Sequence, residues 1–184
     1  MIIISGPSTV GKNPLIYEAC NQFNLEFIIP YTTRSIRTEE INGTDYFFLT
    51  KKEFQSEIKS KIITEWDYCL DNYYGYAFKF PGTKNQITHG LSRMALRIKQ
   101  KYPDKITTVF LMPNNIEKIH YNLTQIYSGR NLYLRQSLVE EELCHSVLFD
   151  KVLICPNPSI ELLENNEIKK IFDITIEKNK CIWI

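Results

Sequence analysis

The chain opens on an unbroken apolar run, Met1-Ile2-Ile3-Ile4, with no polar residue alternating into it. A continuous β-branched run of this kind predicts a strand buried on both faces, the texture of a parallel sheet. The strand read at 1–5 leads through a glycine-bearing segment, 6–12, into a helical pattern over 15–23, and 26–30 reads as a second strand. From 31 to about 80 the texture changes. Thr, Tyr and Phe crowd into short runs such as 46–49 and 61–66, with one helical piece near 51–60, which predicts a small mixed subdomain inserted into a larger fold. Further strands are predicted at 90–98, 106–112 and 151–155. Ser137 and Glu140 have capping-box spacing and predict a helix from there to about 148. Asn157-Pro158 predicts another helix start, and 174–176 and 181–184 read as late strands. Strands alternating with helices predict an α/β fold with a parallel core sheet.

A length of 184 residues suits one domain, large enough to bury a core without disulfides or metal. Twenty-two basic residues against 21 acidic ones leave a net charge of +1. No global field exists to attract nucleic acid or an anionic membrane, so neither is expected as a partner. No stretch approaches the ~20 apolar residues of a membrane span, and the N-terminus lacks the basic segment of a signal peptide. Cys20, Cys69, Cys144, Cys155 and Cys181 are scattered, with no zinc or redox spacing. They are expected to be buried thiols in a reducing compartment, which makes the predicted location cytoplasmic.

Chemistry enters at Gly6-Pro7-Ser8-Thr9-Val10-Gly11-Lys12, between the first strand and the first helix. This is G-x-x-x-x-G-K in the context that gives it meaning. Its glycines let backbone N–H groups curl round a phosphate, the helix N-terminus adds positive potential, and Lys12 adds a point charge. The bland alternative is a Gly-Lys turn at a strand–helix junction. The next residue would ordinarily be Ser or Thr, whose hydroxyl binds Mg²⁺. Here it is Asn13, followed by Pro14, which removes an N–H from the first turn.

A second group follows. Thr32-Thr33-Arg34-Ser35-Ile36-Arg37 sets two arginines three apart. Tyr46 comes in Asn42-Gly43-Thr44-Asp45-Tyr46-Phe47-Phe48, then Glu65-Trp66, then Asn72-Tyr73-Tyr74-Gly75. Two arginine forks and two tyrosine hydroxyls suit a phosphate dianion. Singly, each is a commonplace surface or core residue. Together, in this order and spacing, they closely resemble the guanylate kinase family, P-loop kinases that move a phosphoryl group from ATP to GMP. The match runs from Ile3 to Gly75 and continues more loosely through Arg135 to Phe149-Asp150-Lys151-Val152-Leu153-Ile154.

The resemblance implies a three-layer P-loop fold. Its core would be about 1–30, 81–120 and 137–184, with an acceptor-binding subdomain at about 31–80 and a short lid at about 121–136. It implies that Arg34, Arg37, Tyr46 and Tyr74 hold the acceptor phosphate. Glu65, whose carboxylate accepts two N–H bonds, would hold guanine. Gly6, Ser8, Gly11, Lys12 and Asn13 would hold the ATP phosphates. Catalysis would fall to Lys12 with Arg130 and Arg135 from the lid, with Mg²⁺ and ATP as cofactors and Asn13 as a weak metal ligand.

Several positions depart from the family pattern. Asn13 and Pro14 are two. The family carries D-x-D at the end of the strand after the acceptor subdomain, and this chain has no acid from Asn72 to Pro103. The strand expected there reads Ser92-Arg93-Met94-Ala95-Leu96-Arg97-Ile98. Tyr76 replaces a small Ser or Thr, and Pro30 and Glu39 resemble the non-catalytic guanylate kinase domains of membrane-associated scaffolds. Three readings stay open: a homologue that keeps a GMP or phosphate-monoester pocket with weak or lost phosphoryl transfer, an active guanylate kinase making ADP and GDP, and a phosphopeptide-binding module with a phosphoprotein partner.

Overall fold

The structure, a computed structural model, describes residues 1–78 and 85–155 and, beyond them, Lys169 alone. The chain divides into two compact units, Met1–Phe27 with Thr83–Ile184, and Ile28–Gly82. The expected helix at Asn157-Pro158, the late strands at 174–176 and 181–184, and Cys181 lie outside the described residues.

In the first unit, β1 (Ile2–Ser5), β2 (Glu26–Phe27), β7 (Gln86–His89), β8 (Thr107–Pro113) and β9 (Lys151–Cys155) form a sheet in the order β2-β7-β1-β8-β9. Every neighbouring pair is parallel, with Ile3 opposite Thr88 on one side and Thr108 on the other. The unbroken Ile2-Ile3-Ile4 run has its reason here. Ile2 and Ile4 join Leu15, Ile16 and Ala19 of α1 (Lys12–Phe23), Ile119 and Leu123 of α4 (Ile116–Ile126) and Val139 of α5 (Gly129–His145) in one apolar cluster. Ile3 points the other way, as alternate strand residues must, to the side where α3 (Ser92–Lys101) packs on β1 and β8. All three isoleucines are fully buried. Asp150 pins β8 to the start of β9. Its carboxylate accepts from the Thr108 N–H at 2.8 Å and the Thr108 hydroxyl at 2.9 Å, and Lys99 lies 3.1 Å away.

The second unit is a four-stranded sheet, β4-β3-β6-β5, built from β3 (Tyr31–Thr32), β4 (Phe47–Phe48), β5 (Glu65–Cys69) and β6 (Asn72–Tyr76). β5 and β6 form a hairpin whose two loop residues, Leu70 and Asp71, both have positive φ, the geometry that matches strand twist in a two-residue turn. α2 (Lys51–Lys59) has the full capping box: the Thr50 hydroxyl accepts from Glu53 N–H and the Glu53 carboxylate from Thr50 N–H.

Several sequence expectations need correction. The strand expected at 90–98 is helix α3, because its buried residues Met94, Ala95 and Ile98 repeat with helical spacing, and the strand before it is β7. The helix expected to start at Ser137 starts at Gly129, eight residues earlier. Ser137 is exposed in mid-helix, and half-buried Leu132 already belongs to the packed stripe. Of the run 26–30 only Glu26–Phe27 is strand, and 61–64 turns before β5 begins at Glu65. Cys69 and Cys155 are buried as expected, but Cys20 is half-buried and Cys144 is exposed. Among the described residues no helix is long and apolar enough to cross a membrane.

Candidate active site

Two sets of residues, one in each unit, gather the chemistry. The first is the loop from Gly6 to Lys12. β1 ends at Ser5, and α1 begins at Lys12 behind Gly11, whose φ of 93° is left-handed. Thr9 is left-handed as well, at φ 69°. Gly6 is required by space: a Cβ there would stand 2.6 Å from the Leu111 carbonyl oxygen. Pro14 sits in the first turn of α1, where a missing N–H leaves no helical bond unmade. The curl presents a helix N-terminus in the arrangement that binds anions. Lys12 folds over it, its ammonium donating to the carbonyl oxygens of Gly6 at 2.5 Å and Pro7 at 2.8 Å. A polar pocket opens beside the loop, lined by Thr9, Asn115, Lys118 and Asn122 among others.

Ser8 and Asn13 are partly exposed on this loop and helix start. Arg135 lies with its guanidinium 4.9 Å over the Tyr127 ring, whereas Arg130 is exposed at the second position of α5. Five residues apart on one helix, the two point about 140° apart around its axis, so the structure does not bring them together. At the end of β7, His89 is buried and stacked on Phe27, and the Gly90 N–H donates to Ile4. β7 itself carries no carboxylate, and the acid that reaches the chain just beyond it is Glu142 of α5, whose Oε1 accepts from the Ser92 N–H at 3.3 Å. Magnesium prefers hard oxygen ligands in octahedral array. An amide at Asn13 and an imidazole at the strand end fit it poorly.

The second set lies in the Ile28–Gly82 unit. Arg34, about nine-tenths buried, forms a bidentate pair with Glu40, Nη1 to Oε2 at 2.8 Å and Nη2 to Oε1 at 2.7 Å. The same carboxylate accepts from the Arg37 N–H at 2.9 Å and lies 3.7 Å from the Arg37 guanidinium. Arg34 also sits 5.2 Å over the Tyr46 ring and 5.4 Å over Phe48. Tyr46 is half-buried, and desolvation pushes its phenol well above the ordinary range; Arg34 and Arg37 act on it from one side of the balance and Tyr74 and Glu40 from the other. Arg34, Arg37, Tyr46 and Tyr74 therefore form one cluster, with Glu40 at its centre. Burial works against the Arg34 charge, but Glu40 more than offsets it and raises its pKa. Burial likewise works against ionised Glu40, yet the bonds from Arg34 and the Arg37 amide hold it below the usual carboxylate range.

Glu65 is buried on the same sheet face as Tyr74. Directly opposed residues share a face, and the register pairs Glu65 with Tyr76, Asp67 with Tyr74, and Thr32 with Tyr74. The opposite face is closed by Phe54 of α2 stacking on Tyr73. Gly75 lies under that contact: a Cβ would meet Ile63 Cγ2 at 2.7 Å and Phe54 Cζ at 2.8 Å. Gly75→Ala is expected to destabilise this unit by about 1–3 kcal/mol through overpacking. Urea unfolding followed by Trp66 fluorescence reads it, and an unchanged midpoint would contradict the packing described.

Two site residues were missed in the sequence. Glu40 stood in the arginine segment but was not recognised as the partner of Arg34. Glu142 is 4% exposed on α5, and its signal was an acid at an apolar position, four after Leu138 and three after Val139.

The guanylate kinase family model matches residues 1–161. The chain belongs to the guanylate kinase family. It is 33% identical over 189 aligned positions to a guanylate kinase of Wigglesworthia glossinidia brevipalpis, covering 96% of this chain and 87% of that protein. It is 30% identical to a guanylate kinase of Mycoplasma pneumoniae, covering 85% of this chain and 69% of that protein. The crystal structure of guanylate kinase from Anaplasma phagocytophilum superposes with a TM-score of 0.71 at 20% identity, over 97% of this chain and 85% of that one. That likeness shows that the described residues have the fold of a guanylate kinase.

Proposed function

We propose that this member of the guanylate kinase family binds GMP through the Arg34, Arg37, Tyr46 and Tyr74 cluster, with Glu65 accepting from the guanine edge. ATP binds on the Gly6–Lys12 loop, with its base in the pocket beside Asn115 and Asn122. Phosphoryl transfer from ATP to GMP is slow, because such transfer depends on positioning plus metal neutralisation of charge, and the oxygen ligands for the metal are depleted. Lys12 and Arg135 supply cationic charge to the transferring group, and Arg130 the outer end of the lid. The observation that supports the reading is the contrast between the two halves of the chemistry: Arg34, Arg37, Tyr46 and Tyr74 gathered around Glu40 in one unit, and Asn13 with an acid-free stretch from Asn72 to Pro103 in the chain.

A working kinase remains the second reading, favoured by the identity to bacterial guanylate kinases over nearly the full chain. Calorimetric titration separates them at the metal. ATP affinity is expected to change less than tenfold, about 1.4 kcal/mol, on adding magnesium. A much stronger dependence would mean that other ligands hold the metal and would move the conclusion to the working kinase.

A further inference from the structure

Glu40 is an acid in the middle of a cluster that the proposed reaction assigns to an anion, and its contacts fix how Arg34 can be used. A guanidinium presents its N–H donors in one plane, as a fork of Nη1 with Nη2 and a second fork of Nε with Nη2. Glu40 fills the first fork: Oε2 accepts from Nη1 at 2.8 Å and Oε1 from Nη2 at 2.7 Å. The remaining N–H of Nη1 is taken by the Ser35 carbonyl oxygen at 2.8 Å. The rings of Tyr46 and Phe48 lie against the guanidinium at 5.2 and 5.4 Å. The fork left over is Nε with the outer N–H of Nη2, and no acceptor among the described residues stands on it.

Glu40 is anchored independently of Arg34. Its Oε2 also accepts from the Arg37 backbone N–H at 2.9 Å, and its Oε1 lies 3.7 Å from the Arg37 guanidinium. A phosphate seeking the first fork would have to break both bonds from Arg34 and free a carboxylate whose side chain is only 10% exposed. Approach to the second fork breaks none.

We propose that Glu40 is a positioning residue for the acceptor phosphate: it stays on the Nη1–Nη2 fork of Arg34 while the phosphate takes the Nε–Nη2 fork. The inference rests on the reading of this cluster as the GMP phosphate site. It has a consequence opposite to simple charge. A carboxylate beside a bound phosphate repels it, so Coulomb's law alone makes removal of Glu40 tighten GMP. Positioning makes removal weaken it, because a guanidinium aimed in advance loses less freedom on binding.

The test uses the full chain with GMP and guanosine. Glutamine offers one acceptor and one donor where the fork needs two acceptors, so Glu40→Gln releases Arg34. GMP affinity should fall about tenfold in Glu40→Gln, the worth of one charge-assisted hydrogen bond, while guanosine affinity stays within about twofold. Tighter GMP binding would overturn the proposal, and so would equal losses for GMP and guanosine, which mark a merely structural role. A second measurement needs no variant that might fail to fold at Glu40. In ¹H–¹⁵N NMR of the unmodified protein, the Arg34 Nε–H signal, assigned by its absence in Arg34→Lys, should move downfield on adding GMP. The Glu40 carboxyl ¹³C signal should stay in place. A still Nε–H with a shifted Glu40 carboxyl would show the phosphate displacing Glu40 and would sink this proposal alone. If GMP does not bind, the acceptor reading of the cluster fails and this proposal with it.

Discussion

Arg34→Ala is expected to lose GMP binding and to weaken the fold of the acceptor unit together. Removing the guanidinium deletes a charge-assisted, bidentate partner for the acceptor phosphate, a loss of about 1.5–3 kcal/mol in affinity. It also leaves Glu40 buried with its strongest partner gone. Breaking a buried pair from one side costs about 3 kcal/mol, the low end of the measured range, because Glu40 keeps the Arg37 N–H. Glu40→Gln separates the two effects, since it breaks the same buried pair from the other side while keeping the Arg34 guanidinium for the phosphate. Calorimetry with GMP and denaturant unfolding on both variants read the outcome, and Arg34→Ala with unchanged GMP affinity would remove the cluster from the acceptor site. The pair also gives the unit a pH dependence of definite sign. Glu40 is held below its unfolded value, so its stabilisation is present above the ordinary carboxylate range, about 4.3, and is lost as the pH falls through the lower folded value.

Gly6→Ala is expected to be comparably severe, by a different mechanism. Gly6 has φ 145°, and the intruding Cβ meets a backbone oxygen, Leu111 O, at 2.6 Å. A backbone atom in the middle of a parallel sheet cannot swing aside as a side-chain tip can. Overpacking costs about 1–3 kcal/mol and the strained backbone about 1–3 kcal/mol more. The relief route is for β1 to separate from β8, which displaces the loop and the two carbonyls that hold Lys12. ATP binding should therefore fall with the thermal midpoint. A stable Gly6→Ala protein with intact ATP affinity would show that the loop tolerates a side chain at its first position.

The parallel core was legible because Ile2-Ile3-Ile4 has no polar alternation, which only a strand buried on both faces allows. That Arg34, Arg37, Tyr46 and Tyr74 come together was legible as well, because Thr32 to Gly75 carries them in a specific order. The segment 90–98 was misread for a physical reason: Leu91, Met94, Ala95, Leu96 and Ile98 are dense enough in apolar residues to pass for a strand, and the helical face emerges only once Met94, Ala95 and Ile98 pack on the sheet. Ser137 misled because a capping box is a local signal, and Leu132 and Leu138 extend one helix straight through it. Glu40 and Glu142 were hidden because sequence does not disclose burial. An acid beside arginines on a surface is unremarkable, and the same acid closing a bidentate bond inside the unit decides its electrostatics.

The most direct measurement of the central claim is a coupled assay of ADP formation from ATP with saturating GMP, run with and without magnesium, beside calorimetry of GMP alone. GMP should bind, and turnover should stay below about 1 s⁻¹, the lower end of the range for kinases, with little response to magnesium. Turnover inside that range and strongly magnesium-dependent would contradict the account and make this protein a fully working guanylate kinase.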